Sequence, residues 1–396
     1  MSSKSEILPI APPIVFAALP GSRFDARLIG VQAARTSRTV SPGGCKMAET
    51  IKVGVLNDMA DGPPAQGDVT GELQREVDAV RASGRLEPDV EFVHAYGLGL
   101  PQGHGEAVER AYQELAAQDV VMIVGPAIGD NALIATPLAE RHCIATINWA
   151  GAERARGEYM FHLQVGSHED ESLVIARHLK AIGANRLGVV YDMSPIGTRH
   201  LKYLEDEARI IGQEIVCSEA IFPLCEDASN AVDAVLAEKP EGFVYLGLGL
   251  SAPAVADPLA ARGWKGPRIM NTAGLRGYQP EFARSIDGWI YIDMHSDGNR
   301  TLAELRERLQ APPQQAVWVA KGYDLGRLVA EGLARSTEFT REGVKTGLEQ
   351  VKWLPAAEGE EGTLLGFGIQ DRGALHGRYL VLRQWIDGST VEVRTT

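Results

Sequence analysis

Several things are scarce in this sequence, and each scarcity removes a class of function. Four cysteines, Cys45, Cys143, Cys217 and Cys225, are scattered through 396 residues with no C-x-x-C pair, so no zinc knuckle or disulfide framework organises the fold. Cys143 reads as a small core residue inside a strand. Cys217 and Cys225 flank a predicted strand and loop, and they are a candidate pair only in an exported chain. No run of about 18 apolar residues exists, so no helix is expected to span a membrane. Positive charge is in deficit: 39 Lys and Arg face 52 Asp and Glu, for a formal net charge of -13. That balance repels phosphate backbones and anionic surfaces and argues against a nucleic-acid partner. Catalytic signatures are missing as well, with no G-x-S-x-G elbow and no paired Cys and His. His168, Glu169, Asp170 and Glu171 form a polar run that reads as the acidic first turn of a helix complementing its dipole, not as a metal site. Neither metal nor cofactor is expected.

At about 100 to 200 residues per domain the length implies two domains. Residues 1–50 stand apart as a leader, disordered or untranslated. Up to Met47 they hold six basic residues against Glu6 and Asp25, and Pro9, Pro12 and Pro13 interrupt the apolar stretch Ile7 to Leu19, which makes a poor secretory signal. Cys45 in SPGGC resembles a lipoprotein cleavage box, except that Pro42 stands where a small aliphatic residue belongs. Met47, opening MAETIKVGVL, is the preferred start.

What is present is organised around Val120 to Gly151. Val120 to Val124 are continuously apolar, the pattern of a parallel strand buried on both faces. Gly125 and Pro126 end it, Asp130 is placed to cap the next segment, and Ala132, Leu133, Ala135 and Leu138 recur at helical spacing. Cys143 to Asn148 reads as the following strand. In open parallel sheets ligands sit beyond the carboxyl ends of the strands, so the loops Pro126 to Asn131 and Asn148 to Gly151 are the first binding candidates. The same alternation runs from Ile51 to about Thr272, restarting after YMFHLQVGSHEDE with a capping box at Ser167 and Asp170. This predicts an α/β fold of two doubly wound parallel-sheet lobes. After GWIYIDMH come helical segments over Thr301 to Leu309, Val317 to Leu333 and Thr340 to Val351, then strands around turn signals at Asp371 to Gly373 and Asp387-Gly388. The late helices have no strands of their own, so they must pack on a sheet made earlier.

These residues are similar to the type I periplasmic binding proteins, and most to the leucine/isoleucine/valine-binding branch that serves ABC importers. The resemblance rests on VGPAIGDNALIATPLA, INWAG, YMFHLQVGSHEDE and VVYDMSPIG in that order, and on the tail YDLGRLVAEGL, TREGVKTGLEQVKWLP, FGIQDRG and GRYLVLRQWIDG. It implies lobe 1 over 51–165 plus 296–355, lobe 2 over 166–295 plus 356–396, and a hinge that closes over a small ligand for delivery to an ABC permease. By position it carries the serine-rich ligand loop onto Ala127 to Asn131, with Gly129 where a serine is usual and Asp130 and Asn131 beside it. The second loop falls on Ala150 and Gly151, a tyrosine-glycine pair on Ile196-Gly197, an aromatic near Gly249 or Leu250, and the acid that pairs with an amino group near Thr272 or Ala273.

The departures bear on the ligand. Glycines replace the hydroxyls and no carboxylate stands ready for an ammonium, whose unpartnered burial costs several kcal/mol. A neutral or anionic, partly apolar ligand, such as an amide or a small carboxylate, therefore fits at least as well as an amino acid. Trp149 offers a flat wall. Asp58 in the first loop is read both as a ligand contact and as a turn residue. Arg154 and Arg156 are read as rim charges or partners of an anion, and Ser194 and Asn271 stand at strand ends facing the cleft. The resemblance implies an extracytoplasmic protein, while the poor export signal keeps a cytoplasmic ligand sensor of the same fold open. A nucleotide-dependent enzyme is the remaining alternative, because Gly247, Gly249 and Ala252 spell G-x-G-x-x-A. That motif belongs after the first strand of such a fold and needs an acid ending the next strand, where RIMNTA has Asn271 and Thr272.

Overall fold

A computed structural model describes residues 50–63 and 69–393. The expected leader and the box at Cys45 lie outside the described residues. The first half comprises β1 (Thr50–Asn57), α1 (Thr70–Ala82), β2 (Asp89–Tyr96), α2 (Gly105–Ala116), β3 (Met122–Val124), α3 (Gly129–His142), β4 (Ala145–Asn148) and β5 (Met160–His162). Its five strands form a parallel sheet in the order β2-β1-β3-β4-β5. There follow α4 (Asp170–Ala181), β6 (Arg186–Asp192), α5 (Pro195–Ile211), β7 (Glu214–Ile221), α6 (Ser229–Ala237), β8 (Gly242–Leu246), α7 (Ala252–Ala261), β9 (Arg268–Met270), α8 (Pro280–Ala283) and β10 (Ile290–Asp293). The tail adds α9 (Arg300–Leu309), α10 (Ala316–Arg335), α11 (Arg341–Glu349), β11 (Leu354–Pro355), β12 (Leu364–Leu365), β13 (Leu375–His376), β14 (Val381–Ile386) and β15 (Ser389–Glu392). Strands β14 and β15 join the second sheet antiparallel, giving β15-β14-β10-β9-β8-β6-β7.

Period-two geometry makes the continuous apolar runs work. On β3, Met122 and Val124 enter one core with Leu73 and Val77 of α1, while Ile123 enters another with Tyr112 and Leu115 of α2. On β8, Phe243 and Tyr245 face Val232 and Val255, whereas Val244 and Leu246 face Ile175 and Leu204. Each central strand must be apolar on both sides because helices cover both faces of each sheet. The Asp387-Gly388 signal is realised with both residues at positive φ (50° and 73°), the twist a two-residue hairpin requires.

Differences from expectation are local and have physical reasons. Cys143 is not a core strand residue; it ends α3 in the left-handed region (φ 49°) with an exposed thiol. Cys217 and Cys225 are free. Helices α10 and α11 do pack on the first sheet, through Leu325, Leu328, Leu333, Val344 and Leu348. Segment 356–376, expected in lobe 2, differs: Ala356, Leu365, Phe367 and Leu375 are buried in the first core, and only from β14 does the chain join the second sheet.

The chain thus crosses between the sheets at 163–169, 294–299 and 377–380, and a buried ion pair sits where crossing segments meet. Lys321 Nζ of α10 lies 2.6 Å from Glu358 Oε1, with both side chains at most 2 % exposed, and donates to the Gln164 carbonyl at 2.8 Å. One turn along, Asp324 accepts the backbone N-H groups of Ala357 and Glu358 at 2.9 to 3.0 Å. Gly359 N-H donates to the Met294 carbonyl and Gly166 N-H to the Met294 sulfur. Burial pushes the Glu358 carboxyl up, and the Lys321 charge beside it opposes the rise. Removing one member of such a pair strands the other. Lys321→Met should therefore cost about 3 kcal/mol in urea unfolding, and adding Glu358→Leu should recover most of it. A loss below about 0.5 kcal/mol would show the pair to be dispensable.

Candidate functional site

The carboxyl ends of the two sheets face each other across a cavity of about 100 Å³. The first lobe lines it with Met59, Ala127, Ile128, Gly129, Trp149 and Gly151. From the second come Ile196, His200, Gly247, Leu248 and residues 271–273, 275 and 276. Val165 and His168 of the crossover and Trp318 of α10 complete it. A wider hollow of about 1020 Å³, walled by Tyr278, Arg284, Arg306 and Trp385, lies away from the loops that follow β1, β3 and β4.

Three buried carboxylates shape the cavity without lining it. Asp58, just past β1, accepts N-H groups of Ala127 (2.9 Å), Ile128 (3.0 Å) and the Asn131 amide (2.8 Å), which fixes the loop after the adjacent strand β3. Asp192, ending β6, does the same for the loop after β8: it accepts from Leu248 N-H at 3.0 Å and the Tyr245 hydroxyl at 2.9 Å. Glu171 accepts from Ser167 N-H (2.7 Å) and Thr272 N-H (2.6 Å) and so ties the start of α4 to the loop after β9. Burial raises all three, Asp192 to about 7 and Glu171 to about 8, with the donated hydrogen bonds opposing the rise.

The glycines that replace hydroxyls make room for a ring. A β-carbon on Gly129 would lie 2.8 Å from His168 Cε1, and one on Gly151 would lie 3.1 Å from His168 Nε2. His168 is 4 % exposed and meets His200 edge to face, ring centroids 5.1 Å apart. His168 Nδ1 and His200 Nε2 have no hydrogen-bond partner among the described residues. Burial drives both imidazoles down, His168 well below its ordinary value and His200 to about 3, and the Arg199 charge adds to both effects. Both rings are therefore neutral near pH 7. Arg276 is 7 % exposed, with Nε donating to the Leu248 carbonyl at 3.4 Å, and it has no carboxylate within ion-pair distance among the described residues. Desolvation lowers its guanidinium to about 10. Between the lobes Arg199 of α5 pairs with Asp130 of α3 at 2.5 Å.

Of the residues singled out in the sequence, Ala127, Gly129, Trp149, Gly151, Ile196, Asn271 and Thr272 line the cavity. Asp58 and Asn131 are buried braces, and Ala150 is fully buried in a small alanine cluster. Asp130 does not cap α3; it is the interlobe ion-pair partner. Ser194 caps α5, accepting Gly197 N-H at 3.1 Å. Gly249 turns the loop at φ 89° against Ala273 and Arg276, and neither it nor Leu250 lines the cavity. His200 and Arg276 went unread, and His168 was read only as part of the polar run that opens α4. His200 was findable, since it follows Ile196 by four residues on one helix face.

A histidine kept neutral in the fold gains its proton on unfolding. With an ordinary value of 6.5 and a folded value near 3, the contribution of neutral His200 is complete above pH 6.5 and is lost as pH falls toward 3, by about 1.4 kcal/mol per pH unit. His200→Gln should cut the proton uptake on unfolding at pH 5.5 by about one, read from the pH dependence of urea unfolding. An unchanged slope would mean the ring is not held neutral.

Among solved structures the chain is similar to a type 1 periplasmic binding protein from Bordetella pertussis Tohama I, with TM-score 0.73 and 15 % identity over 87 % of this chain and 100 % of that one. An ABC transporter substrate-binding protein from Desulfitobacterium hafniense, in complex with Leu, gives TM-score 0.70 and 18 % identity over 87 % and 100 % of the two chains. An ABC transporter solute-binding protein from R. palustris, in complex with 4-hydroxybenzoate, gives 0.70 and 17 % over 88 % and 97 %. No curated protein matches the chain. The family model described as periplasmic binding protein matches residues 50–372. With that match spanning most of its length, and with the two-lobed α/β fold of the type I proteins, the chain belongs to the periplasmic binding protein family.

Proposed function

We propose that this solute-binding protein takes a small, partly apolar ligand into the cavity between its sheets and delivers it to an ABC importer outside the cytoplasmic membrane. The observation that carries the reading is the cavity itself, at the carboxyl ends of both parallel sheets and bounded by loops that buried carboxylates hold in place. The family and the transporter-associated structural neighbours support the importer and the compartment. They also support capture without turnover, as ligand-binding proteins. One neighbour holds leucine and another an aromatic acid, and of these the acid is the closer guide here, because no carboxylate among the described lining residues faces the ammonium of an amino acid.

Ligand in the cleft works by its difference in affinity between open and closed arrangements. The Arg199–Asp130 pair spans the lobes, so it contributes only to the closed one. The loops Ala127 to Asn131 and Asn148 to Gly151 meet the ligand first, and Ile196, His200, Asn271 and Thr272 arrive on closure. A thermal-shift screen of the full chain against carboxylates, amides, amino acids and NAD(P) should give a shift with one small-molecule class; ligand at 100 times its Kd stabilises by about 2.7 kcal/mol. A shift with nucleotide alone would sink the solute-binding reading. Arg199→Ala should weaken that ligand about fivefold, worth about 1 kcal/mol, with unfolding by urea little changed. Equal affinity would remove the pair from closure.

A further inference from the structure

The polar groups of the cavity sort into committed and free. Asn271 exchanges side-chain hydrogen bonds with Gly247, its amide donating to the Gly247 carbonyl at 2.9 Å and its carbonyl accepting the Gly247 N-H at 3.2 Å. The Thr272 hydroxyl donates to Glu171 at 3.3 Å. Uncommitted among the described lining residues are His168 Nδ1, His200 Nε2 and the terminal nitrogens of Arg276. All three side chains are more than nine-tenths buried, and they come from three separate places in the chain. No Asp or Glu is among the lining residues, so Arg276 is the one formal charge that the described lining brings to the cavity. Desolvation of the Arg276 guanidinium is unfavourable, the more distant Glu281 carboxylate offsets it only in part, and a matching anion in the cavity removes more of that cost.

We infer that the cavity takes a monocarboxylate with an apolar body, its single charge set against Arg276 and an oxygen hydrogen-bonded by the ring of His168. The inference rests on the solute-binding reading above and names the ligand class. One negative charge is the number the lining can neutralise; a second carboxylate would be buried without a counter-ion, and a zwitterion would bring an unmatched ammonium. A neutral imidazole carries one N-H donor; that of His200 goes from Nδ1 to Ser172 Oγ, whose own proton goes to the His200 carbonyl, so His168 is the ring that can donate to a carboxylate oxygen without adding charge. Ile128, Ile196, Leu248 and Leu275 leave the rest of the ligand an apolar surround, which disfavours inorganic anions.

The test is titration calorimetry on the full chain with benzoate, phenylacetate, isovalerate and hexanoate, each beside its amide, and with leucine and succinate. At least one monocarboxylate should bind, at least 30-fold more tightly than its amide. Arg276→Gln should erase that preference, and Arg276→Lys should keep part of it. His168→Asn should weaken the carboxylate about tenfold. Melting of each variant without ligand separates lost binding from lost fold; if the Gln variant melts early, the Lys variant decides, with carboxylate affinity falling and amide affinity unchanged as the expected result. Equal affinity for acid and amide, or undiminished carboxylate binding in Arg276→Gln, overturns the inference. If leucine or an amide binds and no monocarboxylate does, the inference fails while solute binding stands. If nothing in the panel binds, the inference fails, and the wider screen above judges the solute-binding reading on its own.

Discussion

Everything else in this molecule hangs on the contact between Lys321 and Glu358. The pair joins the long helix of the first lobe to the loop that precedes the return of the chain to the second sheet, and the Lys321 ammonium also reaches the carbonyl of Gln164 in the first crossover. Two charges buried together in low dielectric are not a cheap source of stability, since their desolvation offsets most of their attraction. What they supply is definition. A misplaced crossover would leave at least one charge unsatisfied, which disfavours other paths for the chain. Asp324, accepting two backbone N-H groups one turn away, acts in the same direction.

The cleft is built by a related device used twice. An aspartate at the end of a central strand, Asp58 in one sheet and Asp192 in the other, reaches sideways and accepts backbone N-H from the loop beyond its neighbouring strand, two groups for Asp58 and one for Asp192. Loop backbone at the end of a parallel sheet has donors but no adjacent strand to receive them, and a buried carboxylate receives one or two of them. The loops are thereby held before any ligand arrives. The two lobes share this arrangement although the sequences of their loops differ.

Much of the fold was legible because it depends on pattern: apolar runs such as MIVG and GFVYLG mark strands covered on both faces, and Gly-Pro and Asp-Gly mark their ends. The position of the 356–376 segment was not, because strands of two residues carry no periodicity and their partners lie far away in the chain. In the cleft, backbone-defined places such as Gly129, Gly151 and Ile196 could be located by order along the chain. Side-chain roles could not. Asp58 and Asp130 were visible as polar residues at a loop, but whether a carboxylate turns toward ligand, backbone or an arginine of the other lobe is decided by tertiary packing. His168 was hidden inside HEDE, a run whose acids already had a helix-dipole explanation. Arg276 sits on a 3₁₀ turn, Thr272–Tyr278, that repeats no helical pattern.

Arg276 also has a consequence for the closed arrangement proposed above. A receptor that reports on its cargo by shape is exposed to false positives, since lobes that close on water alone present the same outline as lobes closed on solute. Closing without an anion would enclose a guanidinium with no carboxylate within ion-pair distance beside two uncharged rings, which raises the energy of that state relative to the open one. On the inference that cargo charge meets Arg276, the side chain that selects a carboxylate also disfavours unloaded closure.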